Sequence, residues 1–395
     1  MAARSFSLAV NTPDGLARPL AAARADVPSP AGGLLFVSGA LSQEVDRIAE
    51  QVRATWRNVP VCIVPAAGVI TERGEIEGAS GVAGLLWSGG RATPFAVGEA
   101  ASTGALREAI TGAAAGRAAT VVLFPRSEFA ADMLEGLGAV APNIRIFGAG
   151  TVGGACLTLT AAGEVLRGRA SGLAIHGLAP PLVQASAACR LLTPLAPIEE
   201  TSGGMVLRLG GKPALDLLSG CMPELRAAAQ GAPQQPQPVV FAALADPEPD
   251  PGAEPRAAGP SEDEPAEPPF VLRPVRGIDP TRRGVLVGPE ARPGTRLAFA
   301  VRDAAAARTG LEAAARTVSQ QALGAAPRFA IFLSCAGRGQ GLYGSPDVEA
   351  RILRQRFGDL PIAGMHSAFE IVPWGPGDAR VALYTGVIAL FRSPS

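Results

Sequence analysis

One lysine, Lys212, and two histidines, His176 and His366, are all that the 395-residue sequence holds of those types, and cysteine appears five times. Each scarcity excludes something. With Lys+Arg 35 against Asp+Glu 35 there is no net charge, hence no basic surplus to meet the phosphates of a polyanion, and nucleic acid is not an expected partner. The cysteines, Cys62, Cys156, Cys189, Cys221 and Cys335, are odd in number, far apart and without a C-x-x-C pair. That pattern fits reduced, packed thiols rather than a disulfide frame or a zinc site. Two distant histidines make metal binding remote. The glycines at Gly148, Gly150, Gly153 and Gly154 do not form a GxGxxG opening a helix, so no nucleotide cofactor is expected. Charged residues, glycine or proline break every apolar run short of the roughly 20 residues a membrane-spanning helix needs. Met1 to Val10 lacks the sustained apolar core of a signal peptide. The expectation is a cytoplasmic protein without membrane insertion.

What is present is enough apolar residue, 48%, for two cores in a chain of this length. The stretch from Phe329 to Phe391 sets the pattern. An apolar strand, Phe329 to Leu333, breaks at Ser334-Cys335-Ala336-Gly337-Arg338-Gly339. A helix follows, with Ser345 as N-cap, Pro346 in its first turn and Gly358 past its end. A second strand, Pro361 to Ala363, opens into Gly364-Met365-His366-Ser367-Ala368-Phe369-Glu370, and a strand pairing around Ile371 and Val381 to Phe391 closes the unit. The same order recurs upstream. Leu34 to Val37, a helix Ser42 to Trp56 and the region Asn58 to Trp87 form one copy; Thr120 to Phe124, a helix Ser127 to Leu137 and Asn143 to Gly177 form another. Such self-similarity points to internal duplication. The fold class expected is α/β, with two domains, mixed sheets, strand-helix-strand units and hairpins.

Along the chain, 1–32 reads as an N-terminal extension of edge strand plus loop, 33–200 as a first domain and 201–395 as a second. Leu157 to Leu159, Val165 to Leu166 and Ala170 to His176 read as a meander. Ser102 or Thr103 caps a helix, and Asp303 to Leu323 forms another. The Pro-rich acidic segment 246–269 cannot bury enough apolar surface to fold and is expected as a disordered loop.

Arg338 lies between two glycines after a buried strand, where a ligand can approach the main chain and a guanidinium can grip a carboxylate. The alternative is an arginine tying the loop to a neighbouring acid. Glu370 at the neighbouring strand end suits an ammonium, or a salt bridge to Arg338. Cys335, His366 and Glu370 also spell a thiol nucleophile, base and acid, which would make the protein a hydrolase or transferase. A cysteine closing a core strand is more often packing. A third reading is an interaction scaffold using the acidic loop.

Ser334-Cys335-Ala336-Gly337-Arg338-Gly339, Leu342-Tyr343-Gly344, Pro361-Ile362-Ala363-Gly364, Glu370-Ile371 and Tyr384-Thr385, in this order, resemble the C-terminal signature of the FIST family, the F-box and intracellular signal transduction proteins. Ala67-Gly68-Val69-Ile70, Phe147-Gly148-Ala149-Gly150 and Gly211-Lys212-Pro213-Ala214-Leu215 resemble its N-terminal half and the junction. One departure is Phe369, where members commonly carry glycine. The resemblance implies a sensory protein that binds small ligands such as amino acids or small carboxylates and passes its signal to a protein partner. The ligand-binding set it points to is Ser334, Cys335, Gly337, Arg338, Gly339, Tyr343, Gly364, His366, Phe369 and Glu370, with Trp374 as part of the wall.

Overall fold

A computed structural model of the chain describes residues 2–99, 102–223, 239–247, 269–375 and 377–393. These residues belong to two compact units, one of Met1–Ala187 with Arg308–Ser395 and one of Ala188–Ala307. The larger unit carries one plan three times. An edge strand leads through a helix to a central strand, a helical segment returns the chain to a second, parallel strand, a hairpin follows, and a last strand runs back antiparallel to the first central one.

In the first repeat these are β1 (Ala3–Ala9), α1 (Ala17–Asp26), β2 (Pro30–Ser38), α2 (Val45–Thr55), β3 (Val61–Ala66), the hairpin β4 (Gly68–Thr71) and β5 (Gly74–Glu77), and β6 (Gly81–Ser88). The second has β7 (Arg91–Val97), α3 (Thr103–Ala114), β8 (Ala119–Pro125), the short α4 (Leu137–Val140), β9 (Ile144–Ala149), the hairpin β10 (Leu157–Leu159) and β11 (Val165–Arg167), and β12 (Ala170–His176). The third opens with β13 (Leu182–Ala187). There the smaller unit is inserted, a sheet running from β14 (Cys189–Leu191) to β22 (Arg296–Arg302) with the helix α5 (Ala214–Gly220). The repeat resumes with α6 (Ala304–Gln321), β23 (Pro327–Cys335), α7 (Gly339–Tyr343), α8 (Val348–Phe357), β24 (Ile362–Ser367), the hairpin β25 (Glu370–Pro373) and β26 (Ala379–Ala382), and β27 (Thr385–Arg392).

The pairs β2–β3, β8–β9 and β23–β24 are parallel, and β6, β12 and β27 lie antiparallel beside the first member of each. The hairpins leave home. The β4–β5 hairpin joins β24, β10–β11 joins β3, and β25–β26 joins β9. Three six-stranded sheets result, each completed by a hairpin from another repeat.

Aromatic rings tie the sheets together. Trp87 of β6 stacks on Phe329 of β23 with centroids 5.3 Å apart, Phe329 stacks on Phe391 of β27 at 4.6 Å, and Phe391 meets Phe147 of β9 at 6.3 Å. Phe36 of β2 meets Phe124 of β8 edge-on at 5.9 Å. All six rings are buried, and such pairs contribute about 0.5–1.5 kcal/mol each beyond the area they bury.

Several local expectations need correction. Residues 1–32 hold more than an edge strand and a loop: β1 is the expected edge strand, but 17–26 is helical and packs Leu20 and Ala23 into the first repeat's core. The expected meander is instead the hairpin β10–β11 in one sheet and β12 in another, because the hairpin is exchanged. Ser42 caps nothing; its hydroxyl donates to Val37 O, and α2 starts three residues later. Ser127 to Leu137 holds only a short 3-10 turn before α4. The helix expected from Ser345 begins at Val348, with Asp347 at its N-cap at φ 59°. Ser102 does cap α3, accepting from Ala105 N. The compact bodies divide the chain in another way from the sequence domains: the chain from Arg308 onward packs with the first body, and Ala188–Ala307 forms the second. The acidic segment 246–269 lies, but for its ends, outside the described residues.

Inside the inserted unit the chain enters and leaves side by side, Asp303 N donating to Ala188 O at 3.2 Å. Replacing residues 189–302 with a tight glycine-containing turn is therefore expected to leave a folded larger unit, with one cooperative thermal transition and an intact near-ultraviolet circular dichroism signal from its buried aromatics. A molten, non-cooperative product would contradict that.

Candidate functional site

The polar core of the larger unit sits where β23 and β24 end. Their register pairs Ser334 with His366 and Cys335 with Ser367. Side chains alternate along a strand, so Ser334 and His366 face one side of the sheet and Cys335 and Ser367 the other.

On the first side Arg338 is the centre. It follows the turn after β23, is 0% exposed, and is held by α7 and α8. Its Nε donates to Glu349 Oε1 at 2.7 Å, Nη1 to Ser186 O at 2.8 Å and Nη2 to Tyr343 Oη at 3.1 Å. Tyr343 in turn donates to Glu349 Oε1 at 2.9 Å, and Ser334 Oγ to Glu349 Oε2 at 2.5 Å. Burial opposes the charge of Glu349, but the Arg338 guanidinium beside it holds the carboxyl below its usual range. Burial likewise works against the charge of Arg338, and Glu349 more than restores it. Two fully buried opposite charges are stable only in this arrangement, since each satisfies the other in a medium that cannot.

On the second side lies Glu370, also 0% exposed. Thr385 N donates to its Oε2 at 3.2 Å, and its Oε1 lies 2.6 Å from Ser367 Oγ, itself 3.0 Å from Ser334 O. Burial pushes the Glu370 carboxyl well above its usual range. Ser367 Oγ and Thr385 N, as donors to the carboxylate, work against that rise without cancelling it. Cys335 shares this side, 6% exposed, and burial pushes its thiol up to about 12. His366 stands across the sheet from Cys335 and Glu370, so the three do not line up as nucleophile, base and acid.

The remaining expected residues are close-packed. A Cβ on Gly364 would meet Phe332 O at 1.6 Å, one on Gly339 the Glu77 carboxylate at 2.0 Å, and one on Gly337 the Tyr384 ring at 2.7 Å. Phe369 packs on Phe129 and over Gly150, within the second repeat's core. Trp374 lies under the Arg380 guanidinium. Ser334, Arg338 and Tyr343 thus share one network, Cys335 and Glu370 share the other side, and Phe369 and Trp374 do not join Tyr343 in a wall.

Three residues escaped sequence reasoning: Glu349, Glu75 and Glu77. The alternation Glu75-Ile76-Glu77 was the available signal, because it sets both carboxylates on one face of a strand. Glu75 Oε1 accepts from Ala350 N at 2.9 Å, and Glu77 accepts from Gln340 N at 3.0 Å. His366 lies beside them. Burial works against its imidazolium, but Glu75, Glu349 and Glu77 raise its pKa above the usual value.

Two outcomes follow from the network. Arg338→Met, which strands Glu349 without a partner, is expected to cost about 3–5 kcal/mol in urea unfolding, and Arg338→Met with Glu349→Leu clearly less than the sum of the single changes; additive costs would deny the coupling. Glu370 has a folded-state pKa above its unfolded one, so its contribution is present at low pH and lost as pH rises from about 4.3 through the folded value. Glu370→Gln should match the wild type near pH 4 and gain on it at about 1.4 kcal/mol per pH unit above that until the folded value is passed. Parallel stability–pH curves would show the acid to be charged in the fold.

The sequence matches the FIST N domain over residues 32–212 and the FIST C domain over residues 230–373. An uncharacterised protein of Mycobacterium tuberculosis is 34% identical over 124 residues, 31% of this chain and 31% of that protein. One of Mycobacterium bovis is 34% identical over 128 residues, again 31% of each. The matched region is thus about a third of these relatives' length. FIST domains are associated with signal transduction and small-ligand sensing. No helix among the described residues is long and apolar enough to cross a membrane. With both domains matched in order across most of its length, the chain belongs to the FIST family.

Proposed function

We propose that the chain is a sensor that binds an amino acid or a small carboxylate at the turn Ser334 to Gly344, the ligand's carboxylate taking the place of Glu349 on Arg338. The observation that carries this reading is a fully buried guanidinium on a glycine-rich turn at the carboxyl ends of two parallel strands. Ligands of open α/β sheets bind at such strand ends, and clustered buried charges are costly unless they do something. Gly337 and Gly344 flank the short α7 and Gly339 and Gly341 lie within it, so the turn has the backbone freedom to open. Arg338 is inaccessible while Glu349 holds it, so binding requires that opening. The opening releases Tyr343 and the start of α8 as well, which is a shape change a signalling partner can read.

The test is thermal unfolding with a panel of amino acids and small carboxylates, on the wild type and on Glu349→Gln, which keeps the shape of the acid and removes its charge. A ligand at a hundred times its Kd adds about 2.7 kcal/mol to folded-state stability. The wild type should be stabilised by one class of compound, and Glu349→Gln by the same class at lower concentration, because the competitor for Arg338 is weakened. No stabilisation of either protein up to millimolar compound, or a ligand that binds Glu349→Gln more weakly, would rule out the exchange.

A further inference from the structure

The joint between the β4–β5 hairpin and β24 differs from its two counterparts. On β11 and β26 the outer hairpin strands carry Val165-Leu166-Arg167 and Ala379-Arg380-Val381-Ala382, whereas β5 carries Gly74-Glu75-Ile76-Glu77. Across this joint His366 pairs with Gly68, and Gly68 with Glu77, so the three stand in one row over three strands. The middle position has to be glycine. A Cβ on Gly68 would lie 2.8 Å from His366 Cδ2 and 2.9 Å from Ile76 O. Without it the imidazole on one strand and the carboxylate two strands away face each other over the backbone between them.

His366 Nε2 lies 3.3 Å from Glu75 Oε2 and 3.8 Å from Glu77 Oε1. One donor atom from each of the three residues falls within 4.8 Å of the other two. With the side chain only 2% exposed, His366 Nδ1 is buried without a hydrogen bond among the described residues, and Nε2 faces the two carboxylates without a well-aligned one. Buried polar atoms are rarely left this way. Ligand atoms around a tetrahedral Zn²⁺, with bonds of about 2.1 Å, stand about 3.4 Å apart. The spacing at the joint is close to that.

We propose that Glu75, Glu77 and His366 bind a divalent transition metal, of which Zn²⁺ is the best match to one imidazole and two carboxylates, with a fourth position left for water or a ligand atom. Glu77 is the entry, its side chain 23% exposed where Glu75 and His366 are 2%. The metal would be tied to the Arg338 turn through bonds already present, Gln340 N to Glu77 and Ala350 N to Glu75. The site does not depend on the sensor reading, and a metal can bind here whether or not a carboxylate reaches Arg338.

The alternative occupant of the gap between the carboxylates is a proton on His366. The experiment that separates the two is calorimetric titration of the chelator-treated full chain with Zn²⁺ at pH 7, together with Co²⁺ absorption, on the wild type, Glu77→Gln, His366→Gln and His176→Gln. One equivalent of Zn²⁺ is expected to bind the wild type and His176→Gln equally. Glu77→Gln and His366→Gln should each lose more than about tenfold in affinity, since changes even outside the ligand shell cost that much. Absence of binding to the wild type, or an affinity unchanged in Glu77→Gln, overturns the proposal. Glu77 is partly exposed, so its variant is expected to fold even where His366→Gln does not.

Discussion

Each central sheet of the larger unit has a strand, β3, β9 or β24, whose outer edge carries unpaired amide and carbonyl groups until a hairpin from a different repeat arrives. Backbone groups left buried and unpaired cost as much as lost hydrogen bonds, and open edges invite the wrong partner. The exchange of hairpins removes both liabilities at once, and it does so only when all three repeats are in place. The aromatic chain from Trp87 through Phe329 and Phe391 to Phe147 belongs to the same constraint, since its rings come from all three repeats.

Three equivalent joints exist, and the polar chemistry is unevenly shared among them. The joint at β3 is lined by Cys62 and Thr158, and the joint at β9 holds Phe369 in an apolar cluster. The joint at β24 has Glu75, Glu77 and His366 beside the Arg338–Glu349 pair. A duplicated scaffold needs the same apolar positions in each copy to close its sheets, but it needs no buried ion pair in any of them. The copy that carries charges is the copy in which burial has been tolerated for some purpose other than closing the fold.

The threefold repeat, the α/β class and most strand positions were legible in the sequence because apolar runs bounded by glycine and proline report burial directly. Arg338 and Glu370 were legible as unusual residues at strand ends. What they touch was not. The partner of Arg338 is Glu349, which on the sequence is one of several acids in a helix's first turn, and the groups around His366 lie some 290 positions upstream on a hairpin whose destination no local pattern reveals. The same nonlocality undid the meander: periodicity identifies strands but not their neighbours. The helix start at Ser42 was misplaced because its hydroxyl turns back to Val37 O, and that at Ser345 because the turn before the helix is held from a distant hairpin, where Asp347 accepts from Glu75 N at 2.6 Å.

The insertion of 188–307 between β13 and the helix that follows has a consequence for how the chain is made. β13 pairs with β27, Leu182 opposite Leu390, and the β4–β5 hairpin waits for β24. Until β24 and β27 have been made, the β4–β5 hairpin and β13 have no native partner, while the inserted unit, whose strands pair among themselves, can fold early. Loop closure over such separations slows folding, and open edges during that delay are where aggregation begins. β27 thus closes the sheet late: a chain truncated before it would lack a strand that two others require, and quality control would meet it as an open sheet rather than as a slightly shortened protein.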